Sequence, residues 1–512
     1  MTRTWSLLAK PAAIGTNSIT LLHNPVAMGW SVGDRILLSP TTTLSSGTAQ
    51  SFVIGSISRD TNTLFFSRDS ANTTQLFRAS IVNGGAAGVA ILSAEVINLS
   101  RNVVITGDDF RHQACDPTLT DPYSTVGCSC NPSIGRFVCT FGLHTMMAGR
   151  GTMVMQYIRV EKCGQRGVKG KYCMHLHYMN QCPGCLLRGN AIEFSQQRGI
   201  VVHETHRSTV EENVLSDVRG AGIYIEDGNE LYNRFLYNIV ICPWPLKSLE
   251  KFGCTIPGTD DSQADTSPNQ AGIWSLTPRN DMIGNRMANS VNGMFYDCGS
   301  MPQGTGSARG HVNTFYTPMG RLDGNTFHGH GRFGTYILNY MPKHCYPNIL
   351  SNGWITNNSG CRPFTANGGD NGVGIMVSHS VDYQNAFVGQ YNAGDLQYYK
   401  HMAFNNNNNI YWKETKNFAD GCSAHISNGY YADGNMALPD MAAFIIEDTT
   451  FTGNSQLEAN HHCNIGVTGF LCMPTYVLRN VSWVGITSTQ WVTFHQVANN
   501  YGKFFLLSPF IF

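Results

Sequence analysis

Three asparagines, Asn190, Asn213 and Asn238, each open a short apolar run, and they stand 23 and then 25 residues apart. That interval is too short for a domain and close to one coil of a parallel β-helix, in which each turn of chain adds a strand to each of several sheets. A looser form of the same unit recurs from about Val103, in "RNVVITGDD", "RGNAIEFSQQRGIVVHE", "EENVLSDVRGAGIYIEDG", "GNRMANSVNGMFYDCG", "DGNTFHGHGRFGTYILN" and "LRNVSWVGITSTQWVTF". Each unit is an Asn or Gly turn, a short apolar strand, a Gly turn and a second strand. One coil cannot bury its own apolar face, so coils stack and their inward residues make a continuous core. Asparagines at equivalent turns then stack as hydrogen-bonded ladders. "FNNNNNIYW" (Phe404 to Trp412) fits the same scheme as an asparagine turn ladder. The fold class is all-β.

Composition agrees. The chain has 53 glycines among 512 residues, which favours tight turns between short strands over long helices. Charged residues are 13% and the formal net charge is 0, so neither nucleic acid nor an anionic membrane surface is an expected partner. No stretch reaches the ~18 apolar residues of a membrane span. Sixteen cysteines, several closely spaced as in Cys128/Cys130 and Cys182/Cys185, point to disulfides and an oxidising compartment. Zinc ribbons are disfavoured, because no two Cys-x-x-Cys units stand at ribbon spacing. Asn72, Asn98, Asn357 and Asn480 lie in Asn-x-Ser/Thr acceptors and are expected glycosylation sites on a secretory route. "MTRTWSLLAKPAAIG" has no signal-peptide apolar core, which implies that upstream sequence precedes Met1. At the other end, "KFFLLSPFIF" (Lys503 to Phe512) reads as a last strand, a contact surface or the start of a continuation.

Residues 1–100 read as a β-rich N-terminal segment, from alternation in runs such as "DRILLSP" and "TLFFSRD", and residues 101–512 as the parallel β-helix. Two stretches break the period: Cys115 to Cys139, and Pro243 to Pro268 with Cys254, Asp260 and Asp261. Loops this long inside a compact repeat are functional or disulfide-pinned more often than idle.

The chemistry-bearing residues cluster in "KYCMHLHYMNQCPGCLLRGNAIEFSQQRGIVVHETH" (Lys171 to His206) and just beyond. Strand alternation places Met174, Leu176 and Tyr178 on one face and His175 and His177 on the other. Ile200 and Val202 face inward, with Val201, His203 and Thr205 outward; Ile223 and Ile225 face inward, with Tyr224 and Glu226 outward. His177, His203 and Glu226 are separated by 26 and 23 residues, each about one coil, so their side chains are expected about 4.8 Å apart on an outward, solvent-facing wall that continues through Trp274 and Asp297. A histidine beside a carboxylate suits acid–base work near neutral pH. Tyr224 and Trp274 are the expected sugar-stacking surface. A polar, solvent-facing sheet surface with no chemistry, and a metal site built on His-x-His, a third histidine and Glu226, are the competing readings.

"YIRVEKCGQRGVKGKYCMHLHYMN", "RGIVVHETHRSTVEENVLSDVRGAGIYIEDGNELYNRFLYNIVI", "DTSPNQAGIWSLTPRND" and, nearer the start, "WSVGDRILLSPTTT" resemble, in order and spacing, the β-helix region of the cell-migration-inducing hyaluronan-binding protein, the transmembrane hyaluronidase and, more distantly, the fibrocystin-like proteins. The likeness runs from about Trp5 to about Gly299; beyond it only the general repeat remains. It implies a single-stranded right-handed parallel β-helix with disulfide-pinned loop insertions, a secreted or cell-surface setting, and hyaluronan or another acidic polysaccharide as target. His175, His177, His203, His206, Glu226 and Asp227 fall on the family's histidine and Glu-Asp-Gly motifs and are the catalytic candidates. Asp297 joins them where the family is expected to carry Glu, and Cys173 stands where it is expected to carry Pro. The glycine-rich domain that precedes the β-helix in these relatives has no counterpart here.

Two classes of function follow. One is a polysaccharide hydrolase or lyase, with Glu226 or Asp297 and a histidine sharing proton transfer and room for a divalent cation such as calcium. The other is a non-catalytic structural subunit of an extracellular glycoprotein filament or coat, since open β-helix ends invite self-association.

Overall fold

The computed structural model describes residues 1–41, 49–68, 71, 77–80, 90–107, 142–165, 169–243, 254, 269–297, 319–338, 375–392 and 396–412, and beyond these the stretches 423–427, 431–438, 443–452, 457–461, 475–485, 492–496 and 503–507. Every regular element among them is a strand. From Thr145 onward each strand pairs in parallel with the third strand after it, so each coil contributes one strand to each of three sheets. The sheet that carries the histidines runs through Thr145–Ala148, Met174–Gln181, Ile200–His206, Ile223–Ile225, Ala271–Ser275, Asn292–Asp297, Phe333–Leu338 and Val388–Asn392. Past Met402–Trp412, a single strand that pairs with two strands of the coil below, the alternation shortens to every second strand. Lys503–Leu507 closes the described stack as a strand on Thr475–Val484. The chain is therefore a parallel β-helix.

Inside the coils Met174, Leu176, Ile200, Val202, Ile223, Ile225 and Ile273 stack with Leu187, Leu215, Phe235 and Met287, all buried in one cluster. Two devices hold the coils in register. The first is the asparagine ladder: the Asn190 side-chain amide donates to Asn213 at 3.0 Å, Asn213 to Asn238 at 3.0 Å, Asn238 to Asn285 at 3.0 Å and Asn285 to Asn325 at 3.2 Å. Residues preceding these asparagines, Gly189, Glu212, Tyr237, Gly284 and Gly324, are left-handed. For Glu212 and Tyr237 that conformation costs on the order of 1 kcal/mol each, which the ladder and the backbone bonds around it offset. Asn385 donates to Asn406 of the asparagine tract at 2.9 Å in the same way, although the tract, expected to be a turn ladder, runs mostly within the strand Met402–Trp412. The second device is a glycine column. A Cβ on Gly199, Gly222, Gly272, Gly293 or Gly334 would meet the carbonyl oxygen of the next glycine up the stack, with Gly389 the last, at 2.5 to 3.0 Å.

Six strands between Trp5 and Asn98 form an antiparallel sheet with its own core, Leu8, Ile19, Trp30, Ile36, Phe52 and Leu64 among its members. A second apolar cluster, Trp5, Leu7, Leu37, Ile97 and Leu99, packs on Ala191, Val214, Ile239, Ile241 and Ala288, which point outward from another sheet of the helix. Charged ties flank this seam: Arg35 and Arg159 both pair with the buried Glu193. Glu95 accepts from Arg286 at 2.6 Å and from His328 at 2.9 Å.

Three disulfides are present among the described residues, Cys163–Cys173, Cys182–Cys185 and Cys242–Cys254. The last anchors Cys254 of the Pro243 to Pro268 insertion to the end of a sheet strand, and Cys173, in the position expected to be Pro, is a bridge partner. Cys115 to Cys139 lie outside the described residues.

Burial alone pushes the Glu95 carboxyl up, but the charges of His328 and Arg286 and the hydrogen bonds from His328 and Ser39 outweigh it and hold the group far below the usual carboxylate range. A depressed carboxyl stabilises fully above its unfolded value of about 4.3 and loses that contribution as pH falls through and below it. Glu95→Gln is expected to cost about 3–5 kcal/mol at pH 7, because Arg286 keeps a buried charge. In thermal melts the gap between wild type and variant should narrow from pH 6 to pH 3; a constant gap would contradict the tie.

Candidate functional site

Alternation within Met174–Gln181 sends Met174 and Leu176 inward and His175 and His177 outward, and parallel pairing sets His177 opposite His203. Glu226 follows Ile225, whose partner is Val202, so the next coil adds its carboxylate beside His203. The stacking matches the sequence reading; the exposure does not. His175, His203, Glu226 and Asp227 are 1, 6, 4 and 2% exposed, and only His177 is half-buried. The reason is a second apolar layer on the outer face, Tyr172, Val201, Ala221, Tyr224, Ala271, Trp274, Leu276 and Phe295. Outward on this sheet does not mean wet.

His203 is the centre of the cluster. Its Nε2 donates to Asp227 at 2.9 Å, its Nδ1 lies 3.1 Å from His177 Nδ1, and the same Nδ1 is 3.5 Å from Glu226 Oε2. Burial lowers the His203 pKa, but the Asp227 hydrogen bond and the charges of Glu226, Asp227 and Glu230 outweigh it, and the net shift is upward. Its neighbours move the other way. Burial and the flanking imidazoles take His175 down to about 3 and lower His177. His203 is thus the most basic of the three rings. Glu226 Oε1 accepts from the Tyr172 hydroxyl at 3.2 Å, Arg198 donates to that hydroxyl at 2.9 Å, and Arg198 and Lys169 stand 3.8 and 3.9 Å from the carboxylate.

Several expectations are corrected. His206, on the same strand, is not part of the cluster: Glu204 is left-handed and turns the strand end, and His206 Nδ1 accepts the Leu231 amide at 3.1 Å, a structural bond. Burial and the Arg207 charge lower its pKa to about 4. Asp297 lies two coils beyond Glu226, roughly 10 Å along the stack at the usual strand spacing, with Leu276 on the coil between. Burial raises its pKa. Tyr224 and Trp274 are 5 and 3% exposed, and their ring faces are occupied: the Arg198 guanidinium sits 3.5 Å over Tyr224, and the two rings stack at 4.7 Å. They have no face left for a sugar. Tyr178, expected inward, is left-handed at φ 54° beside a register shift in the strand, and its half-buried ring lies 4.1 Å from His177 and 4.5 Å from His203.

Sequence reasoning missed Tyr172, Arg198, Tyr178 and Glu230. Glu230 is buried and accepts the amides of Glu204, Asp227 and Gly228 at 2.9 to 3.0 Å, which pins the Glu-Asp-Gly turn; burial and the Asp227 charge push its pKa to about 7. The spacing of acids in "EDGNE" is the only sequence signal for it.

Imidazole nitrogens of His175, His177 and His203 all lie within 4.8 Å of one another. Calcium, the cation expected from sequence, is a poor match to three nitrogens, since it takes six to eight oxygens. Of the expected glycan acceptors, Asn72 and Asn357 lie outside the described residues. Asn98 is fully buried with its amide donating to Asp34 at 2.7 Å, which leaves no room for a glycan in this fold, whereas Asn480 is exposed.

The family model of the CEMIP β-helix matches residues 140–335, the segment that holds the whole cluster. These residues are similar to that family's β-helix. Human fibrocystin-L is 28% identical over 356 residues, which is 66% of this chain and 8% of that protein. Protein rliB of Dictyostelium discoideum is 25% identical over 246 residues, 46% of this chain and 19% of that protein. The chain thus spans a small part of these relatives. The catalytic unit of a thermostable GH87 α-1,3-glucanase from Streptomyces thermodiastaticus aligns over 94% of this chain and 86% of its own at 9% identity, with a TM-score of 0.33, too loose a match to bear on function.

The Arg198–Glu226 contact is testable as a unit, both side chains being 3% exposed. Arg198→Met should destabilise by about 3–5 kcal/mol, because Glu226 loses its buried counter-charge. Adding Glu226→Gln should recover part of that, with a coupling of about 1–3 kcal/mol in a double-mutant cycle; additive effects in denaturant melts would contradict the pairing.

Proposed function

We propose that this chain is an extracellular carbohydrate-active β-helix protein that binds an acidic polysaccharide over His177 and Tyr178 and cleaves it with the cluster beneath. The reading rests above all on the placement of His203 between two carboxylates, Glu226 and Asp227, with half-buried His177 and Tyr178 at its outer side. The three disulfides fit an oxidising, extracellular or cell-surface setting.

Each group has a part in that chemistry. Asp227 orients His203 through Nε2, and Glu230 holds the turn that carries Asp227. Arg198 balances the buried Glu226 charge, and the exposed Lys169 beside it matches the carboxylate of a uronic acid. Tyr178 offers a half-exposed ring where Tyr224 and Trp274 cannot.

Elimination suits the layout better than hydrolysis. In elimination a base takes the proton beside the uronate carboxylate, the bond from the adjacent carbon to the leaving oxygen breaks, a double bond forms between the two carbons, and the leaving oxygen takes up a proton. His177 and His203 are the paired base and acid, and cationic side chains stabilise the charge that develops on the carboxylate. Hydrolysis would require Glu226 and Asp297 to act across about two coil spacings, at the wide limit of an inverting pair. Hyaluronan is the first substrate to try, on the strength of the CEMIP-type β-helix.

With hyaluronan, chondroitin and a neutral glucan as substrates, the expected result is cleavage of an acidic chain with an unsaturated uronate at the new end, read by its ultraviolet absorbance. His203→Ala and Glu226→Gln should each slow turnover by about 100-fold or more. Saturated ends would replace elimination by hydrolysis. If no chain is bound or cut, the cluster is buried scaffolding of a structural rod, and the filament reading takes its place.

A further inference from the structure

We propose that His175 Nε2, His177 Nδ1, His203 Nδ1 and Glu226 Oε2 together bind one divalent transition-metal ion of the zinc class. The proposal stands apart from carbohydrate cleavage, because it rests on donor geometry alone.

Three of the four donors are already oriented. His175 Nδ1 donates to the Gly170 carbonyl at 3.3 Å, which leaves Nε2 with its lone pair free, and that Nε2 is buried without a hydrogen-bond partner. His203 Nε2 donates to Asp227, which in the same way presents its Nδ1 lone pair to the cluster. A carboxylate or carbonyl on the far nitrogen is the usual support of a metal-bound histidine. Glu226 Oε2 is likewise buried and takes no hydrogen bond, while its Oε1 is held by Tyr172. His175 Nε2 and Glu226 Oε2, on the coils to either side of His203, are thus both buried without donors.

The spacing fits. Bonds of about 2.0–2.1 Å in a tetrahedral zinc site put neighbouring ligand atoms about 3.3 Å apart. His177 Nδ1 and His203 Nδ1 are 3.1 Å apart, and His203 Nδ1 and Glu226 Oε2 are 3.5 Å apart. One nitrogen each of His175, His177 and His203 lies within 4.8 Å of the other two. Three imidazoles and one carboxylate select zinc, cobalt, nickel or copper over calcium or magnesium. His177 is half-buried, which gives an ion access from solvent. A bound ion there would supply Lewis-acid charge to an anionic ligand.

The test is metal binding, read without any glycan. Protein purified without chelators should hold about one equivalent of a transition metal by elemental analysis. Protein stripped with a chelator should bind zinc chloride at one site in calorimetry, below the micromolar range, and calcium chloride should not compete. His177→Ala should weaken zinc binding by at least 100-fold. Asp227→Asn should weaken it by about 10- to 100-fold, as loss of a supporting partner does. His379→Ala, on an exposed histidine elsewhere, should leave it unchanged. Cobalt added to the stripped wild type should give the intense visible bands of a tetrahedral nitrogen site, a readout that needs no variant. Stripped wild type that takes up neither zinc nor cobalt, or His177→Ala that binds zinc as wild type does, overturns the proposal.

Discussion

Stacking of coils in strict register is the constraint on which everything else here depends. The Asn190–Asn213–Asn238–Asn285–Asn325 ladder fixes one corner, and the glycine column from Gly199 to Gly389 fixes the start of the strands that carry the site. A one-residue slip in a β-strand exchanges its two faces. Such a slip in Ile200–His206 would turn His203 into the core and Val202 out of it, so the cluster exists only because the ladder holds. The ladder also tolerates insertions. Asn238 and Asn285 are 47 residues apart yet adjacent in space, with the Pro243 to Pro268 excursion between them tied at its base by Cys242–Cys254.

The second organising fact is that the outer face of the histidine sheet is dry. Tyr172, Tyr224, Trp274 and Phe295 cover it, and inside that cover Coulomb interactions are several times stronger than in water. The opposed shifts of His203 and its two histidine neighbours follow from this, as does the need of Glu226 for Tyr172 and Arg198. An unpaired buried charge costs several kcal/mol, a large part of the ~5–15 kcal/mol that holds a domain folded. The acids and bases of the cluster are therefore coupled in stability as well as in chemistry, and replacing one alone exposes the cost of the rest.

Much of this was legible in the sequence. Ile200, Val202, Ile223 and Ile225 were readable as core because strand alternation has a period of two, and the 26-residue interval from His177 to His203 gave their pairing. What sequence could not give was whatever lies beyond the coil period. Tyr178 reaches the outer face through a left-handed residue at a register shift, which no pattern announces. Arg198 sits at a corner, ahead of the strand it serves. The burial of Tyr224 and Trp274 depends on partners on other coils and on an arginine across the face. Glu226 and Asp297 stand about two coil spacings apart, as the order Glu226, Trp274, Asp297 along the wall implies.

The central claim is that a glycan sits on the face formed by His177 and Tyr178. Hydroxyl-radical footprinting of the wild-type protein, with and without oligosaccharides of hyaluronan, chondroitin and a neutral glucan, tests it most directly. These two side chains are half-exposed and so reactive when free. Both should be shielded by an acidic oligosaccharide and not by the neutral one, while Tyr232 and Tyr237, exposed at other corners of the helix, stay as reactive as before. Unchanged reactivity at His177 and Tyr178 with every oligosaccharide, or shielding confined to other residues, would contradict it.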